Sequence, residues 1–297
     1  MSAPGTGRGW GRRGLIGIPY LWLLLFTLLP LAIVLKISFV ESRLAVPPYG
    51  PLLETGEDGF RLGATLESYA RLFSDSLYIR AYMSSIRYAL AATLISLLLG
   101  YPMAYAIARA PKAWRIALLM LVILPFWTSF LLRVYAWIGL LKGNGLVNNA
   151  LIALGVVGEP LPLLNNSFSV VLGLVYGYLP FMVLPLYATL ERLDPALLEA
   201  AADLGCRPWR AFLEVTLPLS LPGVIAGSLL VFIPAIGEFV IPELLGGPGT
   251  LMVGKVLWDE FFNNHDWPAA SAVAVAMLLL LALPMATMRR FLREEAR

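Results

Sequence analysis

The stretch Leu197–Gly223 reads LLEAAADLGCRPWRAFLEVTLPLSLPG. It holds Glu199, Asp203, Arg207, Arg210 and Glu214, yet an uncharged run long enough to cross a bilayer lies on either side. An amphipathic, Ala-rich island between two apolar runs poses the question of what it contacts. Asp194-Pro195 marks a helix start, because Asp accepts from free N–H groups and Pro is tolerated at the first helical position. Ala196–Leu204 then reads as a short Ala/Leu helix. Gly205 stands where a left-handed C-terminal cap is wanted. Pro208 opens a second short helix carrying Trp209, Phe212 and Leu213, and Leu217-Pro218 is expected to turn the chain back toward the membrane. Two readings fit these residues. In one, Trp209 and Phe212 tuck an interfacial loop against headgroups; in the other, small Ala side chains let a partner protein approach closely.

The rest of the chain supports the membrane setting. Of its 297 residues, 59% are hydrophobic and 14% charged, with a mean hydropathy of +0.77. Soluble domains carry roughly a quarter charged residues, so this is membrane composition. A span needs about 20 apolar residues. Uncharged runs of that length fall at Leu15–Leu35, Tyr88–Ala108, Phe168–Leu190, Leu217–Gly237 and Pro268–Met288, and Ile116–Leu141 is interrupted only by Arg133. The expected fold is therefore an all-α integral membrane protein with six transmembrane helices. Leu15–Leu35 lacks a small-x-small cleavage site before Lys36 and reads as an uncleaved first span.

Basic residues set the expected direction. Arg8, Arg12, Arg13, Arg109, Lys112, Arg115, Arg192, Arg207, Arg210, Arg289, Arg290, Arg293 and Arg297 fall on one side of the six-span arrangement. Arg43, Arg61, Arg71, Arg80, Lys142 and Lys255 fall on the other. The positive-inside rule places both termini and the island in the cytoplasm. The organisation expected is a cytoplasmic tail over 1–14, a first transmembrane helix over 15–40 and an external loop over 41–85. A transmembrane core follows over 86–288, with the island at 194–218, then a cytoplasmic tail over 289–297. The external loop, with Pro47-Pro48, should hold short secondary structure at most.

Several chemistries are disfavoured. One cysteine, Cys206, and one histidine, His265, make disulfide frameworks and Cys/His zinc sites implausible within the chain. No Ser/His or Asp/Asp arrangement lies within a span, which argues against an intramembrane enzyme, and His265 reads as a loop residue. A net charge of +3 fits cytoplasmic-loop basicity rather than nucleic-acid binding. A self-sufficient secondary transporter would want coupling acids near span centres, and none is found. Gly249–Lys255 fits GxxxxGK, but Val256 stands where a phosphate loop needs Ser or Thr for magnesium. No ATP site is expected in this chain.

Three embedded features form a candidate path. Arg133 lies inside a span, where a charge costs about 2.5–3.5 kcal/mol on insertion scales. It is expected either to pair with an acid such as Glu238 or Glu243, or to reach the interface by snorkelling. Glu238, Glu243, Asp259, Glu260 and Asp266 are interleaved with Trp258, Phe261, Phe262 and Trp267. Carboxylates beside aromatic faces suit an alkyl diammonium ion through charge pairing and cation–π attraction. The competing reading is a solvated outer loop with aromatic membrane anchors. Glu238, Glu243, Arg133, Trp127 and Trp258 are the path candidates. Gly173/Gly177 and Gly223/Gly227 are small-residue pairs that permit close helix packing. Pro218, Pro222, Pro234 and Pro242 point to a bent or broken fifth segment.

Glu199-Ala200-Ala201, three residues, Gly205, nine residues, then Val215-Thr216-Leu217-Pro218 resembles the EAA signature of type I ABC importer permeases, EAA-x3-G-x9-I-x-L-P, with Val215 as the one departure. The resemblance implies that the island is a coupling helix seated in a cleft of an ATPase subunit, with Glu199, Ala200, Ala201, Asp203, Gly205, Arg207, Trp209, Leu217 and Pro218 at that contact. It implies two ATP-binding subunits carrying ATP and magnesium, a second homologous permease, an external binding protein, and no cofactor or catalysis in this chain. The expected location is the bacterial inner membrane. Leu124–Asn149, Ile236–Gly247 and Gly254–Ala274 look like the permeases of putrescine and spermidine importers, the putrescine type in particular. A permease for another small solute is the alternative.

Overall fold

The computed structural model describes residues 8–56 and 59–295; residues 1–7 of the basic N-terminal tail and residues 296–297 of the C-terminal one lie outside it. The elements run α1 (Arg8–Ile37), a hairpin of β1 (Leu53–Gly56) and β2 (Gly59–Leu62), α2 (Glu67–Ser74), α3 (Ser76–Arg109), α4 (Lys112–Ile123), α5 (Phe130–Leu141), α6 (Leu146–Ala153), α7 (Ser167–Leu190), α8 (Ala196–Asp203), α9 (Pro208–Ala211), α10 (Leu217–Ile236), α11 (Val240–Leu245), α12 (Val253–Trp258) and α13 (Trp267–Glu295). Among the described residues, four helical stretches are long and apolar enough to cross a membrane: Leu15–Ile37, Ser76–Arg109, Ser167–Leu190 and Pro208–Ile236. A bent pair makes a fifth if taken as one span, and the apolar Trp267–Ala282 stands at the sixth expected position.

The chain divides into two compact units, Met1–Asp75 with Asp259–Leu278, and Ser76–Trp258 with Leu279–Arg297. In the first, α1 exposes Leu21, Trp22, Leu25 and Phe26, the surface of a helix whose neighbours are apolar. At its end Ser38 and Tyr69 share a 2.8 Å hydrogen bond, and Arg71 pairs with Asp266 at 2.8 Å. Asp266 also accepts from the Ala269 N–H at 3.0 Å and so caps α13. Phe261 stacks on Trp267 at 5.0 Å. The external stretch expected over 41–85 ends in helix, since α3 begins at Ser76, well before its apolar run.

The second unit is built on α3, α7 and α10. Tyr101, Ala104, Ile107 and Ala108 meet Met182, Val183, Leu186, Leu190 and Val231 in a buried core. Small residues let the backbones approach. A methyl placed on Gly227 would lie 2.8 Å from Met182 Sδ and 3.0 Å from its carbonyl oxygen, and one on Gly223 would lie 2.6 Å from Thr189 Oγ1. Both small-residue pairs predicted from the sequence lie at helix contacts, but Gly177 keeps 3.8 Å to its nearest neighbours, so only three of the four glycines are sterically required.

The run Ile116–Leu141 is not one straight span. Its helical stretches, Lys112–Trp127 and Phe130–Ala153, meet at 88°. Pro125 supplies no N–H to continue the α-helical ladder, Leu124–Trp127 tightens into a 3₁₀ turn, and Thr128 and Ser129 are extended. A second correction concerns Pro218. Rather than turning the chain, Leu217-Pro218 sits inside a continuous helical path from Pro208 to Ile236. Phe212–Thr216 forms a π-turn in which the Leu217 N–H bonds the Phe212 carbonyl. The wider turn relieves the clash a proline ring makes with the carbonyl four residues earlier. Pro222 and Pro234 are absorbed within α10, and the break falls instead at Gly237, between α10 and α11.

Candidate functional site

The island is a rigid, exposed corner. The Ala196 N–H donates to Asp194 Oδ1 at 3.0 Å. At the far end of α8 the Gly205 N–H bonds the Ala202 carbonyl at 2.9 Å and the Cys206 N–H bonds the Ala201 carbonyl at 3.0 Å. This pair of bonds is a Schellman closure, which requires a left-handed residue at the first position beyond the helix; Gly205 has φ +77°. The four-residue spacing from Ala201 to Gly205 follows directly, because the last Ala of the EAA triplet supplies the carbonyl that the closure uses. No residue of α8 is buried. Leu197 and Trp209 are exposed, the latter at 56%, and Leu204 reaches 88%. Glu199, Ala200, Asp203 and Arg207 are also exposed, and Ala201 is half-buried.

Behind this corner the anchoring is aromatic and polar. Phe212 stands edge-on to Tyr101 at 5.5 Å and to Tyr105 at 6.1 Å. Tyr101 and Ser220 share a 2.8 Å hydrogen bond, and Arg115 pairs with Glu191 at 3.2 Å. Leu217 is half-buried and Pro218 exposed, so these two join the corner to α10 more than they present a surface. Phe212 thus joins the island to α3, and the Tyr101–Ser220 bond joins α3 to α10.

The path candidates fall around the Gly237 break and the α4–α5 bend. Glu238 Oε2 accepts from the Tyr178 hydroxyl, and Oε1 accepts from the N–H groups of Phe239 and Val240 at 3.2 and 3.0 Å. Glu243 pairs with Lys255 at 2.7 Å. Trp258 stacks on Phe239 with ring centroids 4.4 Å apart, while Trp127 lies exposed on the 3₁₀ turn. Arg133 does not pair with Glu238 or Glu243. Its guanidinium sits over Phe126 at 4.9 Å and Phe130 at 5.6 Å, and Nε and Nη1 are buried with no hydrogen-bond acceptor. The two acids are engaged by other donors, Tyr178 and Lys255 among them, and Arg133 lies over the rings of its own segment. Phe126 in turn meets Phe181 edge-on at 5.2 Å, and Phe181 neighbours Tyr178. The remaining acids serve the loop itself. Asp259 accepts from Asn263 and Glu260 from Asn264, and Asp266 is the α13 cap.

Two residues that matter here carried no sequence signal, or a misleading one. Tyr178 lies 60 positions from the carboxylate it meets. Gly254 belongs to the GxxxxGK match, yet a methyl on it would lie 2.4 Å from the Gly237 carbonyl oxygen and 2.6 Å from that of Glu238. The glycine is needed for close backbone approach to the break, and Lys255 is held by Glu243 rather than free for a phosphate.

Broken apolar helices with an exposed, Gly-capped corner between two of them define a membrane-spanning helical protein. Residues 81–296 match the family described as binding-protein-dependent transport system inner membrane components, and the chain belongs to that family. It is thus an inner-membrane ABC importer permease, the translocating subunit and not the ATP-hydrolysing one. It is 41% identical over 268 residues to the spermidine/putrescine transport system permease protein PotB of Haemophilus influenzae, covering 90% of this chain and 89% of the relative. The corresponding Escherichia coli protein is 39% identical over 264 residues, covering 88% and 90%. A solved bacterial ABC transporter involved in alginate import shares the fold, with a TM-score of 0.62, 19% identity and coverage of 95% and 96%.

Proposed function

We propose that this permease moves a polyamine, putrescine or spermidine, into the cytoplasm by alternating access, with both termini on the cytoplasmic side. What carries the reading is 41% identity along nearly the whole chain to a spermidine/putrescine permease. The geometry is compatible in chemistry. Lys255 places an alkyl ammonium on Glu243 at 2.7 Å, and the same two segments contribute the stacked Phe239 and Trp258. A substrate ammonium is the same chemical group and exchanges with it. Glu238, whose carboxylate accepts from three donors, holds the break in position for that exchange.

By the same reading, α8 and α9 seat in an ATPase subunit, and the working assembly contains two such subunits, a second permease and an external polyamine-binding protein. ATP binding closes the ATPase pair and biases the spans toward the outward-open state; the coupling corner transmits this population shift and performs no chemistry. The test is purification of the tagged chain in mild detergent, mass spectrometry of what accompanies it, and reconstitution of the assembly with radiolabelled putrescine and spermidine. ATP-dependent uptake of one or both is expected. A chain that purifies alone and transports in liposomes without ATP overturns the reading, and ATP-driven uptake of an unrelated solute overturns the polyamine assignment alone.

A further inference from the structure

The α3 helix is longer than its apolar run. Tyr88–Ala108 is uncharged and spans about 30 Å at 1.5 Å per residue, so Arg87, immediately before it, stands at headgroup height. Arg80, Met83, Arg87, Leu90, Leu94 and Leu98 follow one another three or four residues apart, which puts them on one stripe of the helix, and all six are exposed. Two arginines therefore crown a continuous apolar stripe.

At that crown lies a cavity of about 480 Å³ lined by Arg80, Met83, Ser84, Arg87, Tyr88, Ser167 and Gly249. Among the described residues no Asp or Glu lines it, and no acid pairs with Arg87. Arg80 is aimed by its own helix, through Nε to the Ser76 carbonyl at 3.1 Å and Nη2 to Ser76 Oγ at 3.2 Å, which leaves Nη1 uncommitted. Tyr88 and Ser167 hydroxyls share a 2.8 Å hydrogen bond at the wall. Ser167 is also the first residue of α7, a 24-residue helix capped by Asn166, so the positive end of a long helix dipole faces the same space. Two guanidiniums, hydroxyls and a helix N-terminus select an anion with several acceptor oxygens. The stripe beneath selects something with acyl chains.

We propose that this cavity is a binding site for the phosphate of an anionic glycerophospholipid, whose acyl chains lie along Leu90, Leu94 and Leu98. The site is separate from the polyamine path and does not depend on which solute is carried. Its test uses the complete purified transporter and native mass spectrometry, with phosphatidylglycerol, phosphatidylcholine and inorganic phosphate as probes. Retained phosphatidylglycerol is expected, and Arg80→Gln with Arg87→Gln should lower retention about tenfold or more, since each basic residue near an anionic surface contributes about a fivefold preference. Arg87→Lys should keep part of it. Equal retention in the double variant, equal retention of phosphatidylcholine, or binding of inorganic phosphate without lipid overturns the site. A photoreactive phenylalanine at Met83, with both arginines intact, decides the matter even if the double variant does not assemble. Crosslinking to phosphatidylglycerol supports the proposal; crosslinking to another polypeptide shows that a protein covers the crown and overturns it.

Discussion

Tyr178, midway along α7, donates its hydroxyl hydrogen to Glu238 at the backbone break after α10. The bond ties one core helix to the point where the next core helix ends, and the same carboxylate holds the N–H groups of the next two residues, Phe239 and Val240. Glu238 is therefore a structural tie as well as a charge at the candidate path.

The two roles are separable. Tyr178→Phe removes one donor and leaves the backbone pair; hydrogen bonds to charged groups are worth about 1.5–3 kcal/mol, so thermal aggregation in detergent should start at a lower temperature. Glu238→Gln and Glu243→Gln should reduce polyamine uptake on the order of tenfold, equivalent to about 1.4 kcal/mol. Uptake and substrate-stimulated ATP hydrolysis unchanged in both Gln variants would remove these acids from the path.

Gly205→Val forces a β-branched residue into a left-handed position, at a cost of about 1–2 kcal/mol. There is space for the side chain, since nothing lies within 4 Å of a methyl built there, so the expected fault is confined to the cap. The variant should insert in the membrane at normal abundance and fail to transport. Normal uptake would show that the Schellman closure is dispensable for coupling.

The glycines at helix contacts predict a graded series. Gly227→Ala and Gly223→Ala overpack α10 against Met182 and Thr189, and Gly173→Ala meets Leu245 and Ile241 at 2.7 and 2.9 Å. Each should destabilise by about 1–3 kcal/mol. Gly177→Ala, with 3.8 Å of clearance, should be tolerated. Detergent melting curves that rank Gly177→Ala with the other three would contradict this packing.

Gly254→Ala tests what the GxxxxGK match is for. A methyl pressed onto the Gly237 and Glu238 carbonyls must displace the break, so polyamine uptake should fall sharply. The ATP concentration giving half-maximal hydrolysis by the assembled transporter should stay where it is. A shift in that ATP dependence would revive the phosphate-loop reading.

The sequence alone determined what depends on local chemistry and on composition. Apolar runs of bilayer length required membrane helices, because unpaired backbone groups have no partner in lipid. The Ala201–Gly205 spacing required a helix ended by a left-handed glycine, because a Schellman closure has a fixed residue count. The α4–α5 bend at Pro125 lay hidden within one hydrophobic run, which read as a single span. Only the tertiary structure decided which groups meet. Arg133 took two phenyl rings of its own segment, Glu243 took Lys255, and Glu238 took a tyrosine 60 positions away. Pairing between distant side chains depends on helix rotation and break angles, and a change of one residue in register turns a side chain by about 100°. Those angles are set by packing at Gly223, Gly227 and Gly254, where neighbouring backbones come within contact distance.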